Sequence, residues 1–278
     1  MPELASWNGK ISPLSEISIP ATDRGFLFGD SVYELVRVYH QQAFLLKGHL
    51  DRLAISLAAI RITYPLAQLE AQISALLQAS ALEEGIIYVQ ITRGAAPRKH
   101  VPPADLTPNC LIYVQNLSRQ PTLVKRQSGI KIATTQDLRH KLCHIKSTNL
   151  LTNVLALMDA EQQGYQEVLL LDEKGMVREG AHSNVAIIEK DRLVTPPLQE
   201  NILPGITRQF ILELAKTLHL KVEEQSFDMQ RLLQASEVML LGTTTELMPV
   251  IEIDGNCIAD GKPGVWSQAL AQAFDQAI

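Results

Sequence analysis

The chain has 278 residues, 46% hydrophobic and 20% charged, with a formal net charge of −5. That balance belongs to a globular protein with an ample core, built as one large domain or two of ordinary size. An acidic chain without an extended lysine–arginine block is not expected to bind nucleic acid.

Taken in chain order, residues 44–46 read as a short strand. Leu50, Leu53, Leu57 and Ile60 then recur at helical spacing and predict a helix over 48–60. Leu69, Ile73, Leu76 and Leu77 predict a second helix over 66–82. Branched and aromatic residues at 86–92 and 110–115 predict strands. Residues 116–129 are polar, carry a proline and lack either period, so they read as a connection between two halves. Beyond it come strand 130–134, helix 147–163, strands 167–172 and 184–189, helix 207–220 and strand 237–241. The expectation is an α+β protein with an N-terminal domain over 1–118 and a C-terminal domain over 119–278, meeting across a cleft, a common place for a cofactor.

Residues 1–10 contain no basic stretch followed by an apolar run, so no secretory signal is read there. Apolar runs such as 168–171 are too short to span a bilayer, and no membrane partner is expected. Cys110, Cys143 and Cys257 have neither metal nor redox spacing. The expected compartment is the cytoplasm, with no metal.

Two segments have the size and chemistry of an anion site. Leu203-Pro204-Gly205-Ile206-Thr207-Arg208 runs into an amphipathic helix, whose first N–H groups suit a phosphate. Gly242-Thr243-Thr244-Thr245-Glu246 offers hydroxyls and amides at a strand end. Taken alone, each reads more readily as an ordinary helix start or threonine turn. Neither has the pattern of an ATP or dinucleotide loop. A lysine in apolar surroundings can form an imine with an aldehyde cofactor. Lys146, beside Ser147-Thr148-Asn149, is a candidate, although its basic neighbourhood also fits a solvated side chain. Glu179 in an apparent hairpin could hold a protonated ring nitrogen, and Arg98 with His100 forms a cationic loop suited to a carboxylate.

Ordered motifs join these pieces. Asp23-Arg24-Gly25-Phe26-Leu27-Phe28-Gly29-Asp30-Ser31-Val32-Tyr33-Glu34 resembles the opening signature of class IV aminotransferases, and His49-Leu50-Asp51-Arg52-Leu53 is similar to the family's next landmark. Ile145-Lys146-Ser147 with Asn149-Leu150-Leu151, Glu179-Gly180 with Ser183-Asn184, Gly205-Ile206-Thr207-Arg208, and Thr243-Thr244 with Glu246 follow in the family's order and spacing. The similarity spans residues 7–266. Within the class, the loop Pro97-Arg98-Lys99-His100 and residues 249–255 are most similar to D-amino acid aminotransferases.

The resemblance implies a two-domain, fold type IV enzyme whose C-terminal domain, 119–278, is α/β barrel-like, with pyridoxal 5′-phosphate in the interdomain cleft. It implies ping-pong transamination of D-amino acids, of the D-alanine and D-glutamate type, with 2-oxo acids. Lys146 would bond the cofactor and shuttle the α-proton. Glu179 would hold the pyridine nitrogen protonated, and Arg52, Ile206, Thr207 and Thr243 would form the phosphate cup. Tyr33, Arg98 and His100 would trap the substrate α-carboxylate, the last two from the neighbouring copy of a homodimer. The alternatives within the class are an aminodeoxychorismate lyase and a branched-chain L-amino acid aminotransferase. The chain departs from the D-enzyme pattern at Ala181-His182, where serines are common. It also has Gly242 in place of a serine and Ser31 in place of a glycine.

Overall fold

The computed structural model describes residues 3–278, which form two compact units. The first comprises the chain up to Ser118 together with Ile145–Asn149, and the second comprises Arg119–His144 and Leu150–Ile278. A single cut after residue 118 would assign 145–149 to the second half. Those five residues instead belong to the first unit, where backbone hydrogen bonds join them to a strand.

The first unit contains β1 (Leu4–Trp7), β2 (Lys10–Pro13), α1 (Arg24–Phe28), β3 (Ser31–Tyr39), β4 (Gln42–Ala43), α2 (Leu46–Ala59), α3 (Leu66–Ser80), β5 (Gly85–Thr92) and β6 (Asn109–Asn116). Its six strands form an antiparallel sheet in the order β2-β1-β6-β5-β3-β4. Leu53, Leu57, Leu69, Ile73 and Leu76 pack with Val36, Ile87, Val89 and Ile112 in one core, so the spacing that predicted α2 and α3 marks their buried faces. Residues 44–46 are not a strand. Leu45 has φ 55 in a turn that leads directly into α2, and the Phe44 ring meets Tyr39 edge-on, with centroids 5.6 Å apart.

The second unit contains α4 (Gln120–Ser128), β7 (Ile130–Gln136), α5 (Leu151–Gln162), β8 (Val168–Leu171), β9 (Val177–Gly180), β10 (Asn184–Glu189), β11 (Arg192–Thr195), α6 (Ile206–Thr217), β12 (Lys221–Glu224), α7 (Met229–Leu233), β13 (Glu237–Gly242), β14 (Glu246–Ile253), β15 (Asn256–Cys257) and α8 (Val265–Asp275). Its mixed sheet runs β12-β11-β10-β13-β14-β7-β8-β9, with β15 paired to β14. Val185, Ile187, Val238, Leu240, Val250 and Phe227 lie in its core.

Two expectations from the pattern fail here. Residues 120–128 form helix α4, not an irregular connection. The helix buries no residue of its own, so it leaves no apolar period in the sequence. Ion pairs hold its ends instead: Arg119 and Arg126 both reach Glu246, a buried carboxylate at the start of β14. Helix α5 starts at Leu151 and not at 147, because the preceding residues pair with β3.

Candidate active site

In the first unit the lysine segment extends the sheet beside β3. Tyr33 N–H donates to the Lys146 carbonyl at 2.9 Å, Thr148 N–H donates to Ser31 O at 3.3 Å, and Val32 bridges Ser147. The Lys146 backbone N–H donates to Ser56 Oγ on α2 at 3.2 Å. Gly29, the left-handed C-cap of α1 with φ 62, completes the seat. A Cβ there would fall 2.5 Å from Asn149 Oδ1, and Asn149 Nδ2 donates to the Gly29 carbonyl. The result puts Lys146 Nζ 4.3 Å from the centre of the Tyr33 ring. Lys146 and Tyr33 are thus brought together.

Arg52 lies on the buried face of α2 and makes two 2.7 Å hydrogen bonds to the carboxylate of Glu34 on β3. His49, one turn earlier, places Nδ1 2.7 Å from the same carboxylate. Burial raises the Glu34 pKa, but the charge and hydrogen bonds of Arg52, aided by His49, outweigh it and bring it to about 2. Burial lowers the pKa of His49, against the pull of Glu34. Both stand in the ordered motifs, but the pattern assigned a role to Arg52 and none to Glu34 or His49. The available signal was a pair of ionisable groups embedded in otherwise apolar elements, which are tolerated only when partnered.

Arg98 and His100 meet around one ring. The Arg98 guanidinium lies 5.1 Å from the Phe28 centroid and the His100 ring lies 5.7 Å from it. Arg24 anchors their loop, donating to the carbonyls of Lys99 at 2.6 Å and His100 at 2.9 Å while paired with Asp30. A cleft of about 320 Å³ in this unit is lined by residues that include Arg24, Phe28, Ser31, His100, Ser147 and Asn149.

In the second unit Glu179, at the end of β9, is only 3% exposed. Arg139 Nη1 donates to Glu179, Asn184 Nδ2 donates at 2.9 Å, and Leu203 N–H approaches both oxygens. Arg139 also makes two 2.9 Å hydrogen bonds to Asp137, so one guanidinium serves two carboxylates. Burial therefore dominates and pushes Glu179 up to about 7, despite Arg139 and the Leu203 amide. Asn184 Nδ2 also donates to the Leu203 carbonyl at 3.0 Å. Both backbone polar groups of Leu203 are thus tied to Glu179 or Asn184, two residues before the helix α6 N-cap.

That N-cap is Gly205, and no side chain caps the first turn, which begins with Ile206 and the buried Thr207. Arg208, part of the same motif, is spent elsewhere: it bonds Thr195 Oγ1, the Pro196 carbonyl and Glu224. Thr243 lies in the turn between β13 and β14. At the departures, His182 Nδ1 contacts the buried carboxylate of Glu167, which also accepts from Ser183 Oγ and the Val168 and Ala181 amides. A Cβ at Gly242 would lie 3.5 Å from the His182 carbonyl. Two of the three departures are therefore neighbours in space.

The family model for amino-transferase class IV matches residues 31–253. The chain belongs to the class IV aminotransferases. This aminotransferase is 36% identical over 274 residues to D-alanine aminotransferase of Bacillus licheniformis, covering 98% of the chain and 96% of that protein. It is 34% identical over 275 residues to the D-alanine aminotransferase of Staphylococcus haemolyticus. Among solved structures, the Escherichia coli branched-chain amino acid aminotransferase superposes with a TM-score of 0.93 at 26% identity, over 99% of this chain and 94% of that one. The fold is that of the fold type IV aminotransferases. The cofactor of the class IV aminotransferase is pyridoxal 5′-phosphate.

The residues present suit that group. A primary amine is available at Lys146, and Glu179 is a carboxyl poised near neutrality. The start of α6, which no side chain caps, supplies amides for a phosphate. No helix among the described residues is long and apolar enough to cross a membrane.

Proposed function

We propose that this aminotransferase moves the amino group of D-amino acids, of the D-alanine and D-glutamate type, to 2-oxo acids in ping-pong fashion. The observation that carries the reading is the near-full-length 36% identity to a D-alanine aminotransferase, joined to a seated lysine on an aromatic ring. Bound pyridoxal 5′-phosphate supplies the aldehyde and the electron-accepting ring. Lys146 would bond the cofactor, take the substrate α-proton as general base and deliver it to the cofactor carbon that receives the amino group. Glu179 keeps a proton at the pyridine nitrogen, a task suited to a carboxyl that ionises near 7. The Ile206 and Thr207 amides, the Thr243 hydroxyl and Arg52, itself oriented by Glu34, hold the phosphate.

Tyr33, Arg98 and His100 orient the substrate through its α-carboxylate, with Arg98 and His100 serving the neighbouring copy of a homodimer. Helix α5 supports such an assembly. Leu151, Val154, Leu155 and Met158 form an apolar stripe along it, each between 48% and 72% exposed. A cytoplasmic location agrees with three unpaired cysteines, two of them buried.

Stereospecificity is the test. The holoprotein is mixed separately with D-alanine and L-alanine, and the visible absorbance of the bound cofactor is followed. Bleaching by the D-isomer alone is expected; bleaching by L-alanine alone would overturn the assignment. The superposition on a branched-chain enzyme makes L-leucine the competing substrate to include. Release of pyruvate from aminodeoxychorismate would point to the lyase. Sedimentation of the wild-type protein and of M158E tests the α5 interface, with a shift toward monomer expected for the variant.

A further inference from the structure

We propose that Ser31 is a positioning residue for Lys146: its hydroxyl, hydrogen-bonded to that of Thr148, fixes the lysine segment on β3. The inference rests on Lys146 being the residue that bonds the cofactor. Ser31 is 2% exposed, and its Oγ lies 2.6 Å from Thr148 Oγ1. The same oxygen accepts from Gln90 Nε2 at 3.3 Å, and Gln90 Oε1 accepts from the Tyr88 hydroxyl at 2.9 Å. A polar relay thus runs from β5, across the first residue of β3, to a residue two positions from Lys146.

The relay adds what the backbone alone does not. Two backbone hydrogen bonds join the segment to β3, and the one nearer Ser31 is the longer, at 3.3 Å against 2.9 Å. Backbone pairing at one edge leaves a short segment able to pivot. A side-chain bond from Thr148 to Ser31 restrains that pivot at the C-terminal side of Lys146, beside the bonds of Lys146 N–H to Ser56 and of Asn149 to Gly29. Lys146 stands where small displacements matter, because proton transfer falls steeply with misplacement of the base. A glycine at position 31 would leave Thr148 Oγ1 and Gln90 Nε2 facing a gap in a part-buried site, each without this partner. Ser31 is therefore a working part of the lysine seat and not a neutral replacement.

The experiment compares S31A, T148V, the S31A/T148V double variant and T148S, all as holoprotein. Borohydride reduction and peptide mass spectrometry first establish which lysine carries the cofactor in each. Amide hydrogen exchange of the peptide covering 145–149 is expected to speed up by up to about tenfold in S31A and T148V, and not in T148S. Single-turnover rates with D-alanine should fall by about tenfold in the same two variants, with a larger α-deuterium isotope effect as proton transfer becomes limiting. Because both variants break one interaction, the double variant should be no slower than either single one. E84Q, which removes an ion pair with Arg37 near the far end of β3, should leave exchange at 145–149 and the isotope effect unchanged. Unchanged exchange and isotope effect in S31A, or additive losses in the double variant, would overturn the role of Ser31 while leaving Lys146 in place. Labelling of a different lysine would overturn the functional reading itself, and this inference with it.

Discussion

Glu34 in the first unit and Glu179 in the second are both buried carboxyls facing an arginine, yet one sits at about 2 and the other at about 7. The difference lies in how many cationic donors each carboxylate has to itself. Glu34 receives two hydrogen bonds from Arg52 and one contact from His49. Glu179 receives one arm of a guanidinium whose other two arms bind Asp137. Desolvation acts on both, and only the first is fully compensated. The uncompensated carboxyl is the one at which a proton can be held or released near neutral pH, as acid–base chemistry requires.

The contrast is broken most severely at Glu179. E179Q should lower kcat/KM with D-alanine by about a hundredfold or more, while the bound cofactor remains visible spectroscopically. A variant within twofold of wild type would remove Glu179 from the chemistry. E34Q attacks the other partner and should act mainly on stability. It leaves a buried guanidinium without its counter-charge, a loss of about 3–5 kcal/mol in denaturant unfolding. Wild-type stability in E34Q would mean that the Arg52 pair does not hold the first unit together.

D137N sharpens the comparison by releasing Arg139 to Glu179 alone. The acidic limb of the kcat/KM profile should then move to lower pH, because Asp137 contributes to the raised pKa of Glu179. An unmoved limb would show that sharing of the guanidinium does not set that value. The smallest effect is the pH dependence of local stability in cofactor-free protein. The folded pKa of Glu34 lies below its ordinary 4.5, so its stabilisation is complete above 4.5 and is lost as pH falls toward 2. The folded pKa of Glu179 lies above 4.5, so its contribution is complete below 4.5 and is lost as pH rises through 7. Hydrogen exchange should therefore report loosening of β3 on acidification and of β9 on alkalinisation. Loosening of both elements in the same direction would contradict the pairing scheme.

Much of the fold was legible because local periodicity records which face is buried. Helices α2, α3 and α6 and strands β5, β6, β10 and β13 all carry an apolar face or run that meets a core. Strand β3 left a weaker mark, since seven of its nine residues are buried, on both faces, and it includes the paired charges Glu34 and Arg37. Helix α4 left no mark, since ion pairs hold it in place of an apolar stripe. The separate landmarks Lys146, Glu179, Arg52 and Gly205-Ile206-Thr207 could be read from motif order alone. Their partners could not: Arg139 lies 40 residues from Glu179, and Ser56 lies 90 residues from Lys146.

The sequence by itself determined the family, through motifs whose residue types the chemistry demands in a fixed order. It also determined most regular elements, whose hydrophobic period follows from backbone geometry. Only the tertiary structure decided that residues 147–150 abandon the helix and that 145–149 join the first unit. It alone decided that Glu34 ionises below, and Glu179 above, the ordinary carboxylate range. Those outcomes depend on desolvation and on hydrogen bonds between residues distant along the chain, which no local pattern encodes.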